Sequence, residues 1–172
     1  KLYLPQPDEK TGIIPQFDGY FDLKEIDLSV YKNASVVGTI FHDYSGEDVQ
    51  KMQAGKQADI VELLYQMEDI TTPDNKAKNY VYYEARTLHD SSLSKAIHSI
   101  TACDLGMEKE AYEMFMSAAL TDLGQEMKSS DAGIHSANMG GVWQDVVMGF
   151  GGIRIRDGHL RIAPNCPKQW EK

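Results

Sequence analysis

The sequence is poor in cysteine and in basic residues, and it lacks any long hydrophobic run. Its 172 residues include 2 cysteines, and 17 Lys and Arg stand against 26 Asp and Glu, a net charge of −9 at pH 7. No apolar stretch approaches the ~18 residues of a membrane span. Because an acidic surface repels nucleic acid and anionic lipid, we expect neither as a partner. A bound anion would need a local device such as a helix N-terminus.

Several common site patterns are also missing. Cys103 and Cys166 lack metal-ligand spacing, and no two of the five histidines are spaced i, i+4. The phosphate-binding loop, the dinucleotide fingerprint and the serine-hydrolase elbow are absent. We therefore expect no metal and no cofactor. The low cysteine content, the eight methionines and the lack of a signal peptide favour a cytoplasmic location.

Helical periodicity starts near residue 46. The segment before it carries closely spaced prolines and glycines, which predict loops and short extended pieces. Helices are predicted at 46–49, 56–67, 73–84, 91–106, 108–123 and 133–150. The second would bury one face with Ala58, Val61, Leu64 and Tyr65, and the third would have Thr72 as its N-cap and Pro73 at its first position. Short connections favour antiparallel neighbours, so the pattern predicts a mainly α protein built of helical hairpins.

Near the end of the sequence, the spacing of apolar residues changes from the helical period to strict alternation, a period of two. Asp157-Gly158 is a strong turn signal for a two-residue β-hairpin. The register places Ile155 opposite Leu160 and Arg154 opposite Arg161. Facing arginines disfavour pairing unless an acid lies nearby. Because a lone hairpin is marginally stable, we interpret it as the start of a β-domain or as a flap on the helices.

Three polar segments are candidates for chemistry. Asp90-Ser91-Ser92 precedes a predicted helix, where Asp90 or Ser91 would be the N-cap and the free amide groups suit a phosphate. By pattern alone, simple capping is the commoner reason for such residues. A second helix start carries His135 in its first turn, followed by Gly140-Gly141, which favours close helix packing or a ligand. The third segment, Lys56-Gln57, suits sugar hydroxyls but by itself is typical of a solvated helix end.

The order of these segments resembles one enzyme family. The matching segments are PQFDGYFDL at 15–23, KQAD at 56–59, YYEARTLHDSSLS at 82–94, IHSI at 97–100 and GIHSANMGGVWQDVVMGFGGIRI at 133–155. They cover nearly the whole chain and resemble the glycoside phosphorylases of glycoside hydrolase family 65. That family includes maltose, trehalose, kojibiose and nigerose phosphorylases. The last segment is more similar to the kojibiose and nigerose enzymes than to the maltose enzymes.

The resemblance implies an (α/α)6 barrel followed by a C-terminal β-sandwich. Residues 1–151 would be the C-terminal part of the catalytic barrel, and 152–172 would begin the β-domain. Family members are several times longer, and neither end of this sequence is typical of a natural terminus. We therefore expect a fragment of a longer protein, inactive alone and homodimeric at full length.

The resemblance also implies roles for particular residues. Ser91 and Ser92 match residues that hold phosphate, and His135 matches the histidine beside it. Lys56 and Gln57 match residues that hold the glucose at the cleavage point. The general acid of the family is a Glu upstream of this sequence, so we assign no catalytic residue here. Glu84 lies in a structural part of the pattern and is not nominated.

The implied reaction is a single inverting displacement. Inorganic phosphate, the co-substrate, attacks the anomeric carbon of an α-glucoside and yields β-glucose 1-phosphate and a released sugar. Phosphate is already an anionic nucleophile, so it replaces the second carboxylate of an inverting hydrolase. Two alternatives remain open, a trehalase-like hydrolase of the same family and a non-catalytic helical module that binds sugar or phosphate. The paired serines argue against the hydrolase.

Overall fold

A computed structural model describes residues 4–32, 34, 36–57, 59–124 and 133–170 of the chain. Contacts within the chain divide it into two compact units, Lys1–Asp90 and Ser91–Lys172. Seven α-helices and one β-hairpin are formed by the described residues. The helices are α1 Ser29–Lys32, α2 Gly46–Val49, α3 Asp59–Gln66, α4 Pro73–Glu84, α5 Ser94–Asp104, α6 Glu108–Ala119 and α7 Ser136–Gln144, and the strands are β1 Ile153–Arg156 and β2 His159–Ile162. The chain is therefore mainly helical, as predicted.

The first half of unit 1 is irregular, as its prolines and glycines predict. Short 3₁₀ turns at Tyr20–Asp22 and Thr39–His42 are each preceded by a glycine with positive φ. A small core gathers Leu28, Ile40 and Leu88. Full burial of one such aliphatic side chain contributes about 2 kcal/mol relative to leaving it exposed. This core therefore holds the irregular segment that carries Leu28 and Ile40 against the segment of Leu88, just before Asp90.

Helix α4 begins where the sequence predicts, whereas helix α3 begins later than predicted. Thr72 caps α4, since its hydroxyl accepts from the Asn75 amide at 3.2 Å, and Pro73 takes the first helical position. The apolar face of α3 is buried at Val61, Leu64 and Tyr65, while Ala58 of the predicted face lies outside the described residues. The start predicted at Lys56 was wrong. The helix begins at Asp59 because main-chain bonds of Gly55 to Arg86 and Leu88 hold the preceding segment in a β-bridge.

In unit 2, α5 and α6 form an antiparallel hairpin. Gly106 adopts φ +70° just after α5, and the Met107 amide donates to Ala102 O at 2.9 Å, which ends the helix with a left-handed residue. The hydroxyl of Ser99 donates to Ala111 O at 2.8 Å across the pair. Helix α6 ends at Ala119 and not near residue 123, because the chain continues in turns to Gly124.

Helix α7 continues into a π-helical turn, Asp145–Phe150, at its C-terminal end. The helix predicted from residue 133 begins at Ser136, and residues 125–132 before it lie outside the described residues. A Cβ on Gly141 would lie 2.9 Å from the Ala96 Cβ, so this glycine allows α7 to approach α5 closely. Among the described atoms, none lies within 4 Å of a Cβ built at Gly140. Helix packing thus accounts for one of the two adjacent glycines.

The hairpin has the predicted register, with Ile155 opposite Leu160 and Arg154 opposite Arg161. The acid that the facing arginines require is Asp104, whose two carboxylate oxygens accept from Arg154 at 3.1 and 3.0 Å. Arg154 also donates to Met148 O at 2.9 Å. The pair of strands is therefore attached to the end of α5 and to the π-helical turn. The domain boundary at residues 151 and 152 stays a prediction.

Two further properties concern the described residues. None of their helices is long and apolar enough to cross a membrane. No group of three or more His, Cys, Asp and Glu side chains among them is arranged to hold a metal ion.

Candidate functional site

His135 is held by a partner that the sequence analysis did not identify. It lies at the N-cap position of α7, and its main-chain amide donates to Asp122 Oδ2 at 2.8 Å. Its ring Nδ1 lies 2.6 Å from Asp122 Oδ1. The two side chains are 30% and 16% exposed, respectively. One carboxylate therefore fixes both the backbone and the ring of His135.

The chemistry of this pair sets the position of the ring proton. A carboxylate can only accept hydrogen bonds, so the hydrogen-bonded Nδ1 carries a hydrogen and Nε2 is the ring atom available to a ligand. The hydrogen bonds from the ring and from the main-chain amide of His135 lower the pKa of Asp122. Asp122 is therefore a carboxylate at neutral pH.

The sequence offered one weak signal for Asp122. It follows the C-terminus of α6, where the helix dipole disfavours an acid. An acid at such a position is more stable with a cationic or hydrogen-bonding partner. The partner is 13 positions away in sequence, and no local pattern specifies it.

Ser91 and Ser92 lie in the turn that precedes α5, and both are half-buried. The Ser91 hydroxyl accepts from the Leu93 amide at 3.3 Å, and its carbonyl accepts from the Ser94 amide at 3.2 Å. The N-cap residue is Leu93, and no side chain caps the helix. The expected cap at Asp90 or Ser91 was wrong. The carboxylate of Asp90 accepts from the Gly38 amide at 3.0 Å within unit 1.

The lack of a side-chain cap on α5 is compatible with the hypothesis that an anion binds at the start of this helix. Side-chain caps occupy the amide groups of a first helical turn, and α5 has no such cap among the described residues. The Ser94 amide is already taken by Ser91 O, but the positive end of the helix dipole suits an anion there. Within unit 2, α5 packs against α7 through Ala96 and Gly141. The structure thus places the serines and His135 at the starts of two helices that pack together.

Lys56 and Gln57 belong to unit 1. They are exposed and occupy a bend just before α3, after the bridge between Gly55 and Thr87. The Gly55 amide donates to Arg86 O at 2.7 Å, and the Leu88 amide donates to Gly55 O at 2.8 Å. A Cβ on Gly55 would lie 3.2 Å from Gln57 O, so the bend is tight. The two side chains are therefore presented from a segment whose backbone is fixed, rather than from a helix.

Glu84, the most tempting acid of unit 1, has the wrong ionisation for a general acid. The His89 ring lies 3.6 Å from its carboxylate, and the Lys32 ammonium contacts it directly. Hydrogen bonding by His89 and then by Lys32 lowers the pKa of Glu84 to about 2. A carboxyl that is ionised throughout the physiological range cannot donate the proton that a leaving oxygen needs.

These features describe a mainly helical protein with polar, anion-compatible helix starts in unit 2. The model of the glycosyl hydrolase family 65 central catalytic domain matches residues 1–144. The chain belongs to glycoside hydrolase family 65.

Similar proteins in this family are phosphorylases. The chain is 48% identical over 172 residues to the kojibiose phosphorylase of Halothermothrix orenii, covering 99% of this chain and 22% of that protein. It is 40% identical to the kojibiose phosphorylase of Escherichia coli, covering 100% of the chain and 23% of that protein. A solved structure assigned as a kojibiose phosphorylase from the human microbiome matches with a TM-score of 0.85 at 32% identity, over 97% of this chain and 23% of that one. The chain therefore spans about a fifth of the length of its relatives.

Proposed function

We propose that this chain is the part of a family 65 disaccharide phosphorylase that supplies the phosphate site and part of the glucose site. The observation that carries the proposal is the pairing of His135 with Asp122 at the start of α7, in the unit where Ser91 and Ser92 precede an uncapped α5. Relatives that align with almost the whole chain are named kojibiose and trehalose phosphorylases. The full-length enzyme would cleave an α-glucosidic bond with inorganic phosphate.

Phosphate is the natural ligand of such a region. The chain carries a net charge of −9, so attraction by a general basic surface is not available to it. Hydroxyl groups, a helix N-terminus and a histidine ring together provide directed polar groups for a small dianion. Held below the sugar ring, phosphate attacks the anomeric carbon and its charge stabilises the oxocarbenium-like transition state. Inversion of an α-glucoside would then give β-glucose 1-phosphate and a released sugar.

The remaining parts of the reaction are assigned as follows. Lys56 and Gln57 would hydrogen-bond hydroxyl groups of the glucose at the cleavage point. A Glu outside these 172 residues would act as general acid. The helical hairpins would form part of an (α/α)6 barrel, and the hairpin of β1 and β2 would begin the following β-sandwich. The full-length protein would be a homodimer in the cytoplasm, with phosphate as co-substrate and no further cofactor.

The alternatives are weakened by different observations. A trehalase-like hydrolase has no use for a phosphate site, and the similar proteins described above are named phosphorylases. A non-catalytic module is disfavoured because the chain is 48% identical, over 99% of its length, to a protein named kojibiose phosphorylase. Phosphate-dependent cleavage of kojibiose, nigerose, trehalose or maltose by the full-length protein decides between the three, because the hydrolase cleaves without phosphate and the module does not cleave.

The serine assignment is tested by Ser91→Ala with Ser92→Ala in the full-length protein. A hydrogen bond to a charged group contributes about 1.5 kcal/mol or more, so losing two raises the KM for phosphate about 100-fold. The KM for the disaccharide should change little, as initial rates at varied phosphate and sugar concentrations would show. Ser29→Ala, at the exposed start of α1 in the other unit, is the control. An unchanged phosphate KM in the double variant would remove these serines from the site.

A further inference from the structure

The close packing of α7 on α5 bears on how the phosphate site is held together. We propose that Gly141 is a positioning residue for phosphate, because its lack of a side chain lets α7 lie close enough to α5 for the starts of the two helices to act on one anion. The proposal rests on the proposed function, since it concerns how Ser91, Ser92 and His135 are held at the same site. Gly141 itself is not proposed to touch phosphate.

Helices α5 and α7 begin at the same end of unit 2. Near the start of α5, the Lys95 ammonium contacts the Ser117 hydroxyl in the last turn of α6. Near the start of α7, the side-chain amide of Asn138 donates to Ala118 O in that same turn at 2.8 Å. The segments before the two helices, which carry the serines and the histidine, therefore lie at one end of the unit.

Two glycines on α7 and its π-helical turn allow the close approach to α5. A Cβ on Gly141 would lie 2.9 Å from the Ala96 Cβ. A Cβ on Gly149 would lie 3.4 Å from the Ile100 Cα and 3.5 Å from the Cys103 Sγ. The contact moves toward the C-terminus of both segments together, as expected of parallel neighbours. Backbones can approach this closely only where a residue carries no side chain.

The π-helical turn brings the two glycines onto one face. Gly149 follows Gly141 by eight positions. In a regular α-helix, eight positions turn through about 80° more than two full turns, which would rotate Gly149 away from α5. In the turn Asp145–Phe150 the chain winds more widely, and the Gly151 amide donates to Val146 O, five positions earlier, at 2.9 Å. The wider winding removes much of that rotation, so the segment contacts α5 at both glycines.

The contact at Gly141 leaves no room for a methyl group. Ordinary van der Waals contact begins at about 3.4 Å, so a Cβ at this position has to move α7 away from α5 by at least about 0.5 Å. Ala96 is fully buried, and its Cβ is fixed to the backbone and cannot rotate away. A binding constellation needs its groups held within about 0.5 Å of their productive positions. The absence of a side chain at residue 141 therefore sets the spacing between His135 and the serines.

Gly141→Ala in the full-length enzyme tests this role. Because the added methyl group separates the helix starts, we expect the KM for phosphate to rise about tenfold. The KM for the disaccharide should stay within about twofold, since Lys56 and Gln57, assigned to the glucose, belong to the other unit. Initial rates at varied phosphate and disaccharide concentrations measure both. A substitution that only destabilised the protein would lower the amount of active enzyme and leave both KM values unchanged.

The exchange variant Ala96→Gly with Gly141→Ala tests whether the spacing itself is responsible. It transfers one methyl group from α5 to α7, so the contact again holds a single Cβ. We expect its KM for phosphate to return to within about threefold of the wild-type value. Ala96→Gly by itself weakens α5, because glycine is a poorer helix former than alanine, so added helix stability cannot explain such a rescue.

Two further variants complete the test. Gly46→Ala, in α2 of the other unit, is the matched control, because no described atom lies within 4 Å of a Cβ built there, and both KM values should stay unchanged. Ala96→Val crowds the same contact from α5 and should also raise the KM for phosphate, which covers the case in which Gly141→Ala does not fold.

The outcomes separate the positioning role from the proposed function. A wild-type KM for phosphate in folded Gly141→Ala or Ala96→Val would overturn the positioning role alone. The same follows if the exchange variant keeps the raised KM of Gly141→Ala, or if the KM for the disaccharide rises as much as that for phosphate. An absence of phosphate-dependent cleavage in the wild type would instead overturn the proposed function.

Discussion

At the scale of single residues, two carboxyl groups with opposite environments show how this chain controls ionisation. In unit 1, Glu84 lies beside His89 and Lys32, and these partners lower its pKa to about 2. In unit 2, Asp145 is fully buried in the π-helical turn, and neither of its oxygens has a hydrogen-bond partner among the described residues. Burial raises the pKa of Asp145 to about 8. Asp145 is therefore a neutral acid near pH 7.

Asp145 makes unit 2 more stable in acid than in base. Its pKa is about 8 when folded and 3.8 when exposed, so the folded state binds the extra proton between these values. The free energy of unfolding should fall by about 1.4 kcal/mol per pH unit as the pH rises through that window. Asp145→Asn removes this titration. Between pH 5 and 8, hydrogen exchange of α5 should report a loss of stability about 4 kcal/mol larger in the wild type than in the variant.

The matched control for this prediction is Asp157→Asn, in the exposed turn of the hairpin. Asp157 has φ +49°, a conformation that Asn tolerates well. This control should keep the pH dependence of the wild type. Parallel pH profiles for Asp145→Asn and the wild type would contradict a neutral, buried Asp145.

At the scale of elements, the attachment of the hairpin depends on one ion pair. The Arg154 side chain is 7% exposed, and the Asp104 side chain that accepts from it at the end of α5 is 21% exposed. Local patterns predicted both strands and their register, because alternation and an Asp-Gly turn act over a few residues. They predicted helix ends less well. The boundaries of α3, α5 and α6 depend on main-chain bonds to other segments and on turns that no side-chain cap marks.

Breaking the Asp104–Arg154 pair should destabilise the hairpin and its contact with α5. Asp104→Ala leaves a buried guanidinium without its carboxylate, which costs about 3 kcal/mol. The double variant Asp104→Ala with Arg154→Met should recover much of that loss, because no charge is left unpaired. Urea unfolding, with hydrogen exchange of strands β1 and β2 as the local probe, measures both effects. Arg161→Met, on the facing and exposed strand position, should cost far less. Equal losses for the single and double variants would contradict this account.

At the scale of the whole molecule, the chain exposes apolar surface on its hairpin. Ile155 is 76% exposed, Leu160 is 65% exposed and Ile162 is 62% exposed. A contiguous apolar face of this kind favours association. The chain also spans about a fifth of the length of its phosphorylase relatives.

Produced alone, the 172-residue chain should therefore self-associate and catalyse no phosphorolysis. Ile155→Ser with Leu160→Ser changes a cross-strand apolar pair and should reduce self-association, as measured by sedimentation velocity over a range of concentrations. Arg156→Ser with His159→Ser changes the neighbouring polar pair of the same hairpin and is the control. Equal sedimentation of the two double variants would show that the apolar face of the hairpin does not drive association.

The sequence by itself determined the features that act over short distances or that long ordered motifs carry. These include the mainly helical class, the Thr72 cap, the hairpin register and the family. It also nominated Ser91, Ser92, His135, Lys56 and Gln57 through the resemblance, and those roles stay predictions that the proposed experiments test.

The tertiary structure decided the partners of the polar groups. The contacts of Asp122 with His135 and of Asp104 with Arg154 join residues 13 and 50 positions apart. The burial of Asp145 depends on how the π-helical turn packs against α5. Such pairings arise because desolvation leaves a polar group dependent on whatever the fold brings beside it, and no local pattern in the sequence specifies that neighbour.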